Sequence, residues 1–321
     1  MVSEVSTNSP EQTAERRTGS LQAIGAYGMW AVLPLVYVGL GSVGPIEILA
    51  MRILISLVFC IGLLFVLRQW AQVFEVLGSG RTTAWLALAA VLISVNWLVF
   101  IIATASGRVL ETSLAYFINP LMTVLISVIF LGERLRRLQW VAIGFGAAAV
   151  VVITVGYGRP PYLSLLMATS FALYGTVKRH ITQSGHTKPV PALAGLTIET
   201  AVLAPIALVV AVALAARGDL MTFSADWTVP VLLLVSGVGT ALPLLLFAGA
   251  AARLPLSWVG MFQYIAPVGH FLIGWALLGE PMPAARWAGF ALVWVAVVIF
   301  IVDAVGRRRP PAAAGPRAGR G

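Results

Sequence analysis

Ser113-Leu-Ala-Tyr116-Phe-Ile-Asn119-Pro120 is followed by an apolar run, and then by Leu131-Gly132-Glu133 and Trp140. The same order returns later in the chain as Gly260-Met-Phe-Gln263-Tyr-Ile-Ala-Pro267, an apolar run, Leu278-Gly279-Glu280 and Trp287. The proline, the Leu-Gly-Glu triplet and the tryptophan all recur at one constant shift of 147 residues. A constant shift over so long a pattern indicates that the chain contains a duplicated unit.

The composition is typical of a membrane protein. The chain has 321 residues, of which 60% are hydrophobic and 10% are charged, and its mean hydropathy is +0.95. Because a soluble protein of this length could not bury so much apolar surface, we predict an all-α polytopic membrane protein. The single cysteine, Cys60, lies in an apolar run, which excludes a disulfide within the chain and argues against a cysteine metal site.

The net charge of +9 is better explained by membrane topology than by nucleic acid. The basic residues fall in short loops and a tail, as the positive-inside rule requires. With the N-terminus in the cytoplasm, sixteen Lys and Arg residues lie on the inner side and four on the outer side, and Arg52 remains within a span. We therefore expect a bacterial inner (plasma) membrane protein with both termini in the cytoplasm and no nucleic-acid partner.

Ten apolar spans are predicted, and most approach the ~20 residues that a helix needs to cross ~30 Å of hydrocarbon. The spans lie at about 21–39, 47–67, 84–104, 111–131, 138–156, 161–178, 192–215, 229–249, 256–278 and 285–302. The predicted domains are a disordered cytoplasmic tail (1–20), a first five-helix repeat (21–156), a second five-helix repeat (161–302) and a basic disordered cytoplasmic tail (303–321). Because five is odd, the second repeat enters the membrane inverted, as in secondary transporters whose site lies between the copies.

The sequence contains no recognisable enzyme motif. Gly39-Leu-Gly41-Ser-Val-Gly44 fits the dinucleotide pattern GxGxxG, but that motif needs a preceding strand, and here a transmembrane span precedes it. HExxH, GxSxG and P-loop patterns are missing, and histidine and cysteine are sparse. The sequence therefore predicts no enzyme, no catalytic residue, no metal site and no cofactor.

Three charged residues lie within apolar spans or at their start. Glu199 falls about two turns into the seventh span, where a carboxylate is expensive and indicates a proton carrier or a partner for a cationic group; a structural hydrogen bond is the alternative. Glu47 opens the second span, where the helix dipole favours it as a cap, and a functional role is the alternative. Arg52 lies about 140° around the helix from Glu47, so we expect its partner elsewhere, either Glu199 or an anionic substrate.

Two pairs of residues recur at equivalent positions of the repeats. Glu133 and Glu280 end the fourth and ninth spans, which suits a structural joint in which each carboxylate serves the N-terminus of the helix that follows; a gating role is the alternative. Pro120 and Pro267 lie inside the same two spans and are predicted hinges. Their bends either expose backbone carbonyls to a cavity or reflect packing curvature.

Polar and aromatic side chains inside the spans form the predicted pocket. The polar members are Asn96, Asn119, Gln263 and His270, each of which has the alternative role of bonding a neighbouring helix. The aromatic members are Trp30, Trp97, Tyr116, Tyr174, Tyr264 and Trp294, and several of them fall well inside their spans, which favours a pocket over an interface belt. His270 can titrate near neutrality, although a lone helical histidine is more often a satisfied structural one.

Taken together, these residues resemble the RarD proteins, a branch of the EamA group within the drug/metabolite transporter superfamily, over about residues 21–302. In the first half the resemblance rests on Tyr27, Trp30, Pro34, Glu47-Ile-Leu-Ala with Arg52, Asn96-Trp97, and Ser113 to Pro120 through Gly132-Glu133-Arg. In the second half it rests on Ser170-Phe-Ala-Leu-Tyr174-Gly175, Gly195-Leu-Thr-Ile-Glu199-Thr, Gly239-Thr240-Ala-Leu-Pro243-Leu, Gln263-Tyr-Ile-Ala-Pro267 and Trp294. The resemblance implies a ten-helix inner-membrane permease with inverted five-helix halves. Met51, Val268 and His270 depart from the family pattern at expected cavity positions, so no substrate is carried over.

We therefore expect a permease that moves a small metabolite or drug-like molecule by alternating access, driven by a proton gradient or by exchange. Glu199 and Arg52 would supply charge recognition or proton coupling. The expected partners are a small-molecule substrate, protons and the lipid bilayer, and a homodimer is left open. A non-transporting membrane sensor or partner subunit is the main alternative, and an intramembrane enzyme and a passive channel are two others.

Overall fold

Helices joined by turns and short loops make up the residues that we describe, which are 10–132, 135–183, 190–222 and 227–306 of a computed structural model. Within these ranges no residue forms a strand. The α-helices are α1 (Pro10–Gly39), α2 (Pro45–Leu67), α3 (Trp70–Leu77), α4 (Gly80–Ala105), α5 (Val109–Leu131), α6 (Arg137–Tyr157), α7 (Tyr162–Gln183), α8 (Ala192–Arg217), α9 (Thr228–Arg253), α10 (Leu256–Phe262), α11 (Ile265–Leu272) and α12 (Ala284–Gly306). A π-helical turn, Ile273–Leu277, follows α11.

Eight of the described helices are long and apolar enough to cross a membrane. They are α1 from Ala14 onward, α2, α4, α5 to Phe130, α6, α8, α9 and α12 to Asp303. Each such stretch has 20 to 26 residues and so reaches about 30 Å or more at 1.5 Å per residue. The prediction of an all-α multi-pass chain is confirmed. The predicted spans at 161–178 and 256–278 are not among the eight, so a total of ten stays a prediction.

The boundaries of both predicted tails differ from the structure. Helix α1 begins at Pro10, so the prediction of disorder over residues 1–20 is wrong for residues 10–20. Proline is favourable in the first turn of a helix, and the Glu-Gln and Ala-Glu-Arg-Arg sequences that follow contain good helix formers. At the other end, α12 continues to Gly306, beyond the predicted boundary at residue 303. Residues 1–9 and 307–321 lie outside the described residues.

The helices divide into two units, and the larger one runs to Thr123 and resumes from Tyr162 to Pro281. In this first unit α1 packs on α9, α4 packs on α7, and α2 packs on both α8 and α9. Two large clusters of buried apolar side chains hold these helices together, one centred on α2, α4 and α8 and the other on α1, α2 and α4. The first unit contains nearly all of the predicted site residues that the structure describes.

The close approach of α2 and α9 depends on Gly237. A Cβ atom at this position would lie only 2.4 Å from Cγ2 of Ile55, so a larger residue does not fit without a shift of one helix. The Ser56 hydroxyl donates a hydrogen bond of 2.9 Å to the carbonyl oxygen of Gly237. This contact brings Thr240, one turn further along α9, within reach of Arg52, one turn earlier on α2.

The predicted ninth span is not one continuous helix. Helix α10 ends at Phe262, Gln263 and Tyr264 form a break, and α11 begins at Ile265. Pro267 explains the break, because it has no N–H to donate to the carbonyl of Gln263 and its ring disfavours a continuous helix there. By contrast, Pro120 lies inside the unbroken helix α5. The two prolines are equivalent in sequence, but they have different effects on their helices.

The repeated Leu-Gly-Glu triplet ends a helix in both copies. Gly132 and Gly279 each adopt a φ of 65°, the left-handed conformation that commonly terminates helices and that favours glycine. The carboxylate of Glu280 then accepts hydrogen bonds from the backbone N–H of Leu110, with oxygens at 3.0 and 3.3 Å. We expected Glu280 to serve the helix that follows it, but it serves the first turn of α5 instead, where backbone N–H groups lack helical partners. Glu133 lies outside the described residues.

The second unit consists of residues 124–161 and the chain from Met282 onward. Helices α6 and α12 pack on each other within it. Gly289 allows this contact, because a Cβ atom there would lie 2.4 Å from Cγ1 of Ile153. Arg136 and Asp303 form an ion pair at 3.9 Å. Trp294 belongs to this unit and packs against Phe290, with ring centroids 6.0 Å apart.

Substitution of Gly237 by alanine tests the α2–α9 contact. The added methyl group overpacks the contact, so we expect Gly237→Ala to lower the free energy of unfolding by about 1–3 kcal/mol, measured by thermal unfolding of the purified chain in detergent. The control is Gly62→Ala on α2, whose added Cβ would meet no atom within 4 Å. Equal unfolding temperatures for the two variants would contradict the assignment.

Candidate functional site

Arg52 is a buried cation at the centre of the first unit. It is the eighth residue of α2, and only 4% of its surface is exposed. Its Nε donates to Oγ1 of Thr240 at 2.9 Å, and its Nη1 donates to the hydroxyl of Tyr37 at 2.7 Å. The guanidinium carbon lies 4.4 Å from the centroid of the Trp97 ring, a cation–π distance. Helices α1, α4 and α9 therefore all contribute to holding this one side chain.

The expected pairing of Arg52 with Glu199 is wrong. Across the described part of the chain, no carboxylate lies within 4.0 Å of the Arg52 guanidinium. Glu199 instead pairs with Lys178, whose Nζ lies 2.6 Å from Oε1 of Glu199. Arg52 and Glu199 have separate partners. The side chains that contact Arg52 come from α1, α4 and α9, whereas the lysine that pairs with Glu199 belongs to α7.

Glu199 forms a compact cluster with two side chains of α7. It is the eighth residue of α8 and 2% exposed. In addition to Lys178, the hydroxyl of Tyr174 donates to Oε2 of Glu199 at 3.3 Å. Gly195, one turn before Glu199, makes room for the ammonium group, since a Cβ atom there would lie 3.1 Å from Nζ of Lys178. The predicted seventh-span carboxylate thus has a hydrogen-bonded counter-charge.

A small cavity, with room for about one water molecule, lies between α4, α5 and α7. Its lining residues are Asn96, Ala115, Tyr116, Asn119, Met167 and Phe171, three of which are predicted pocket residues. The Asn96 amide donates to the carbonyl oxygen of Met167 at 2.9 Å. Oδ1 of Asn119 is buried and accepts no hydrogen bond from the described residues. An unsatisfied acceptor on a cavity wall is suited to a ligand donor.

His270 joins three helices beside this cavity. It is 1% exposed, its Nε2 lies 3.0 Å from the carbonyl oxygen of Trp30, and its Nδ1 lies 3.2 Å from Oγ1 of Thr112. Its ring packs against Tyr116, with centroids 5.3 Å apart. Both ring nitrogens therefore have partners, which agrees with the structural alternative for this histidine. Trp30 takes part through its backbone carbonyl, while its indole packs edge-on against Tyr27 at 5.4 Å.

Aromatic rings connect the two buried charges. Tyr37, which bonds Arg52, packs on Phe100 at 5.7 Å, and Phe100 packs on Tyr116 at 6.3 Å. Tyr116 continues to Phe171 at 6.4 Å, and Phe171 to Tyr174 at 5.9 Å. Since Tyr174 bonds Glu199, an aromatic row leads from the cation to the ion pair and passes the cavity wall on the way.

Several predicted residues lie elsewhere. Gln263 is exposed at the break between α10 and α11, and the neighbouring Tyr264 stacks on Phe117 with centroids 6.3 Å apart. Trp294 belongs to the second unit. None of these three lines the cavity.

Glu47 is bonded to a distant loop rather than to its own helix. Its oxygens accept from the backbone N–H groups of Met221 and Thr222, at 3.2 and 2.7 Å, and from the Thr222 hydroxyl at 2.7 Å. Glu47 therefore does not cap α2 as predicted. It binds the segment after α8 to the start of α2. Its 3% exposure leaves the carboxylate little access to anything else.

Sequence reasoning missed Tyr37 and Lys178, and a signal existed for each. Tyr37 follows Trp30 by seven residues and Pro34 by three, so it lies on the same face of α1. Lys178 follows Tyr174 by four residues and shares its face of α7. The predicted sixth span ends at Lys178, so the apolar run gives no reason to pair this residue with Glu199, whereas α7 continues to Gln183.

The model of the EamA-like transporter family matches residues 17–155. Protein RarD of Streptomyces exfoliatus is 47% identical over 91% of this chain and 90% of its own length. Protein RarD of Escherichia coli (strain K12) is 38% identical over 92% of this chain and 97% of its own. The uncharacterized transporter YojE of Bacillus subtilis (strain 168) is 40% identical, over 93% and 98%.

One solved structure, described as a crystal structure of protein, matches with a TM-score of 0.55 at 20% identity. The match covers 92% of this chain and 100% of the solved chain. At this identity the likeness concerns the fold.

Replacement of Glu47 by alanine tests its structural role. The variant leaves two backbone N–H groups and a hydroxyl without their acceptor, so we expect the free energy of unfolding to fall by about 2–3 kcal/mol. Hydrogen exchange should also rise at Met221 and Thr222. Asp219→Ala, which removes an exposed carboxylate from the same segment, is the matched control and should change neither measurement. Unchanged exchange in Glu47→Ala would refute the pinning role.

Proposed function

The chain belongs to the RarD group of the EamA-like transporters, and from this membership we propose that it is an inner-membrane permease that moves a small molecule by alternating access. Its relatives are named as RarD proteins or as uncharacterized transporters. The multi-pass helical fold and the helices that could span the bilayer are in keeping with this function. In this proposal ten helices cross the membrane as two inverted repeats, with both termini in the cytoplasm.

The observation that carries the proposal is the pair of buried charges on α2 and α8. Arg52 and Glu199 are 4% and 2% exposed, and both lie well inside apolar helices. Charges at such depth are expensive, and in membrane proteins they commonly mark substrate or ion pathways. The aromatic row between them would supply apolar contacts for a small organic solute, and a water-sized cavity borders this row at Tyr116 and Phe171.

The repeat supports a mechanism that uses two related halves. Arg52 and Glu199 are separated by 147 residues, the shift of the duplicated sequence, and each is the eighth residue of its helix. The same shift relates α1 to α7 and α4 to α9, and the packing pairs follow it, because α1 packs on α9 while α4 packs on α7. Rocking between two such arrangements would open the site to either side in turn.

Glu199 is the coupling residue in this proposal. With the carboxylate ionised, Lys178 lies 2.6 Å away and bonds α8 to α7. Protonation of Glu199 would remove its charge and release Lys178, so that the two helices could separate. The energy would come from a proton gradient, or from exchange of one substrate for another.

The experiment compares metabolite pools in the medium and in cells of four bacterial strains. These are a deletion strain and strains that overexpress wild type, Glu199→Gln or the control Glu15→Gln, which alters an exposed carboxylate on α1. We expect one solute to redistribute with wild type and Glu15→Gln, and its flux to fall about tenfold in Glu199→Gln, equivalent to 1.4 kcal/mol.

Two other results would count against the proposal in different ways. Equal flux in Glu199→Gln and wild type would make Glu199 a structural residue and remove the coupling step. No redistribution in any strain, with all variants present in the membrane, would favour a non-transporting sensor.

A further inference from the structure

Among the residues that the structure describes, no carboxylate balances the charge of Arg52. Its two hydrogen-bond acceptors, the Tyr37 hydroxyl and Oγ1 of Thr240, are both neutral. A guanidinium has five N–H donors, so three of them have no acceptor among residues 10–132, 135–183, 190–222 and 227–306. An uncompensated buried charge is strongly unfavourable, and its cost falls when an anion binds to it.

The repeat makes the missing counter-charge specific to one half. Glu199, the counterpart of Arg52, is balanced by Lys178 on α7. The position equivalent to Lys178 in the first half, 147 residues earlier, is Ala31 on α1. Ala31 is 7% exposed and lies against Gly269, where an added Cβ would come within 2.6 Å of the Ala31 methyl. Thus the second half carries a lysine that balances its buried carboxylate, whereas the equivalent position of the first half carries only a methyl group.

From this asymmetry we propose that Arg52 binds the anionic group of the transported molecule, and that this molecule is a small organic monocarboxylate with an aromatic or apolar body. The inference rests on the proposed transport function. It goes beyond it by assigning the charge and shape of the substrate and the residue that recognises them.

The chemistry around Arg52 selects a carboxylate. A planar guanidinium binds the two oxygens of a carboxylate through two parallel N–H groups. The three remaining N–H groups of Arg52 are enough for one such carboxylate. One cation balances one negative charge, whereas a phosphate dianion would require a second cation. Lys178 cannot supply that second charge, because it already pairs with Glu199. Tyr37 and Thr240 orient the fork by taking its other donors.

The neighbouring rings define the rest of the ligand. Trp97 covers one face of the guanidinium at 4.4 Å. Phe100 contacts both Tyr37 at 5.7 Å and the cavity-lining Tyr116 at 6.3 Å, so a single ring joins the cation to the cavity wall. Oδ1 of Asn119 on that wall is buried and accepts no hydrogen bond within the described ranges, which suits a ligand with one donor distant from its carboxylate.

The test uses the purified full chain in detergent and two matched probe pairs. The pairs are benzoate with benzamide and phenylacetate with phenylacetamide, which differ in charge and hardly in shape. We expect the carboxylates, but not the amides, to raise the unfolding temperature and to change tryptophan fluorescence in a saturable way. The fluorescence change should be lost in Trp97→Phe, because this indole lies on the guanidinium.

Variants at Arg52 locate the binding. Arg52→Gln should abolish both effects, and Arg52→Lys, which keeps the charge but loses the fork, should weaken the apparent Kd by about tenfold. The matched control is Arg81→Gln, an exposed arginine at the start of α4, which should bind as wild type does. The comparison of carboxylate with amide on wild type stands even if Arg52→Gln does not fold.

The inference is overturned if carboxylates and amides act alike, if neither acts, or if Arg52→Gln responds as wild type does. A flux measurement with radiolabelled benzoate in proteoliposomes separates it from the proposed function. Binding at Arg52 without flux would contradict transport and leave the anion site standing. Redistribution of a neutral or cationic solute by the overexpressing strain, undiminished in Arg52→Gln, would uphold transport and overturn the anion site.

Discussion

The first unit is governed by one constraint: polar groups buried among apolar helices must find their partners on other helices, because lipid offers no hydrogen bonds. Arg52 ties α2 to α1 and α9, and Glu199 ties α8 to α7. Asn96 ties α4 to α7, and His270 ties α11 to α1 and α5. The bonds of Arg52 to α9, of Asn96 to α7 and of His270 to α1 and α5 join helices that are distant in the sequence. If these helices moved, their buried polar side chains would exchange one set of hydrogen-bond partners for another. A packed helix interface can have two alternative arrangements in this way.

The sequence was sufficient to predict the helices but not the partners of the buried charges. Apolar runs and prolines depend on local chemistry, so the multi-pass helical fold and the importance of Pro267 were predictable. The partner of Arg52 depends on which helices touch, and this was set by a glycine, Gly237, whose spacing from Arg52 has no periodic signature. The pairing of Lys178 with Glu199 was not predictable for a related reason, since hydropathy marks where a helix leaves apolar surroundings and not where it ends.

The duplicated halves have diverged where function would require it. The Leu-Gly-Glu glycines keep the same φ of 65° in both copies, whereas the prolines that precede them leave one helix intact and interrupt the other. At the eighth position of α2 and α8, the copies carry opposite charges. The glycines that end the helices are therefore the same in both copies, whereas the buried residues differ. This pattern indicates that the helix ends maintain the fold and that the buried positions can take on separate roles.

The interrupted helix has a consequence for how the protein is made. Helix α10 has seven residues and spans about 10 Å, a third of the ~30 Å hydrocarbon core, and α11 has eight. Neither segment is long enough to cross the core alone. Ser113 on α5 donates to the backbone carbonyl of Pro267 at 2.7 Å, and the side chain of His270 lies 3.0 Å from the carbonyl oxygen of Trp30 on α1. Both helices are synthesised before α11. The ribosome therefore delivers α11 after its partner helices, and its final shape depends on packing against them as well as on its own insertion.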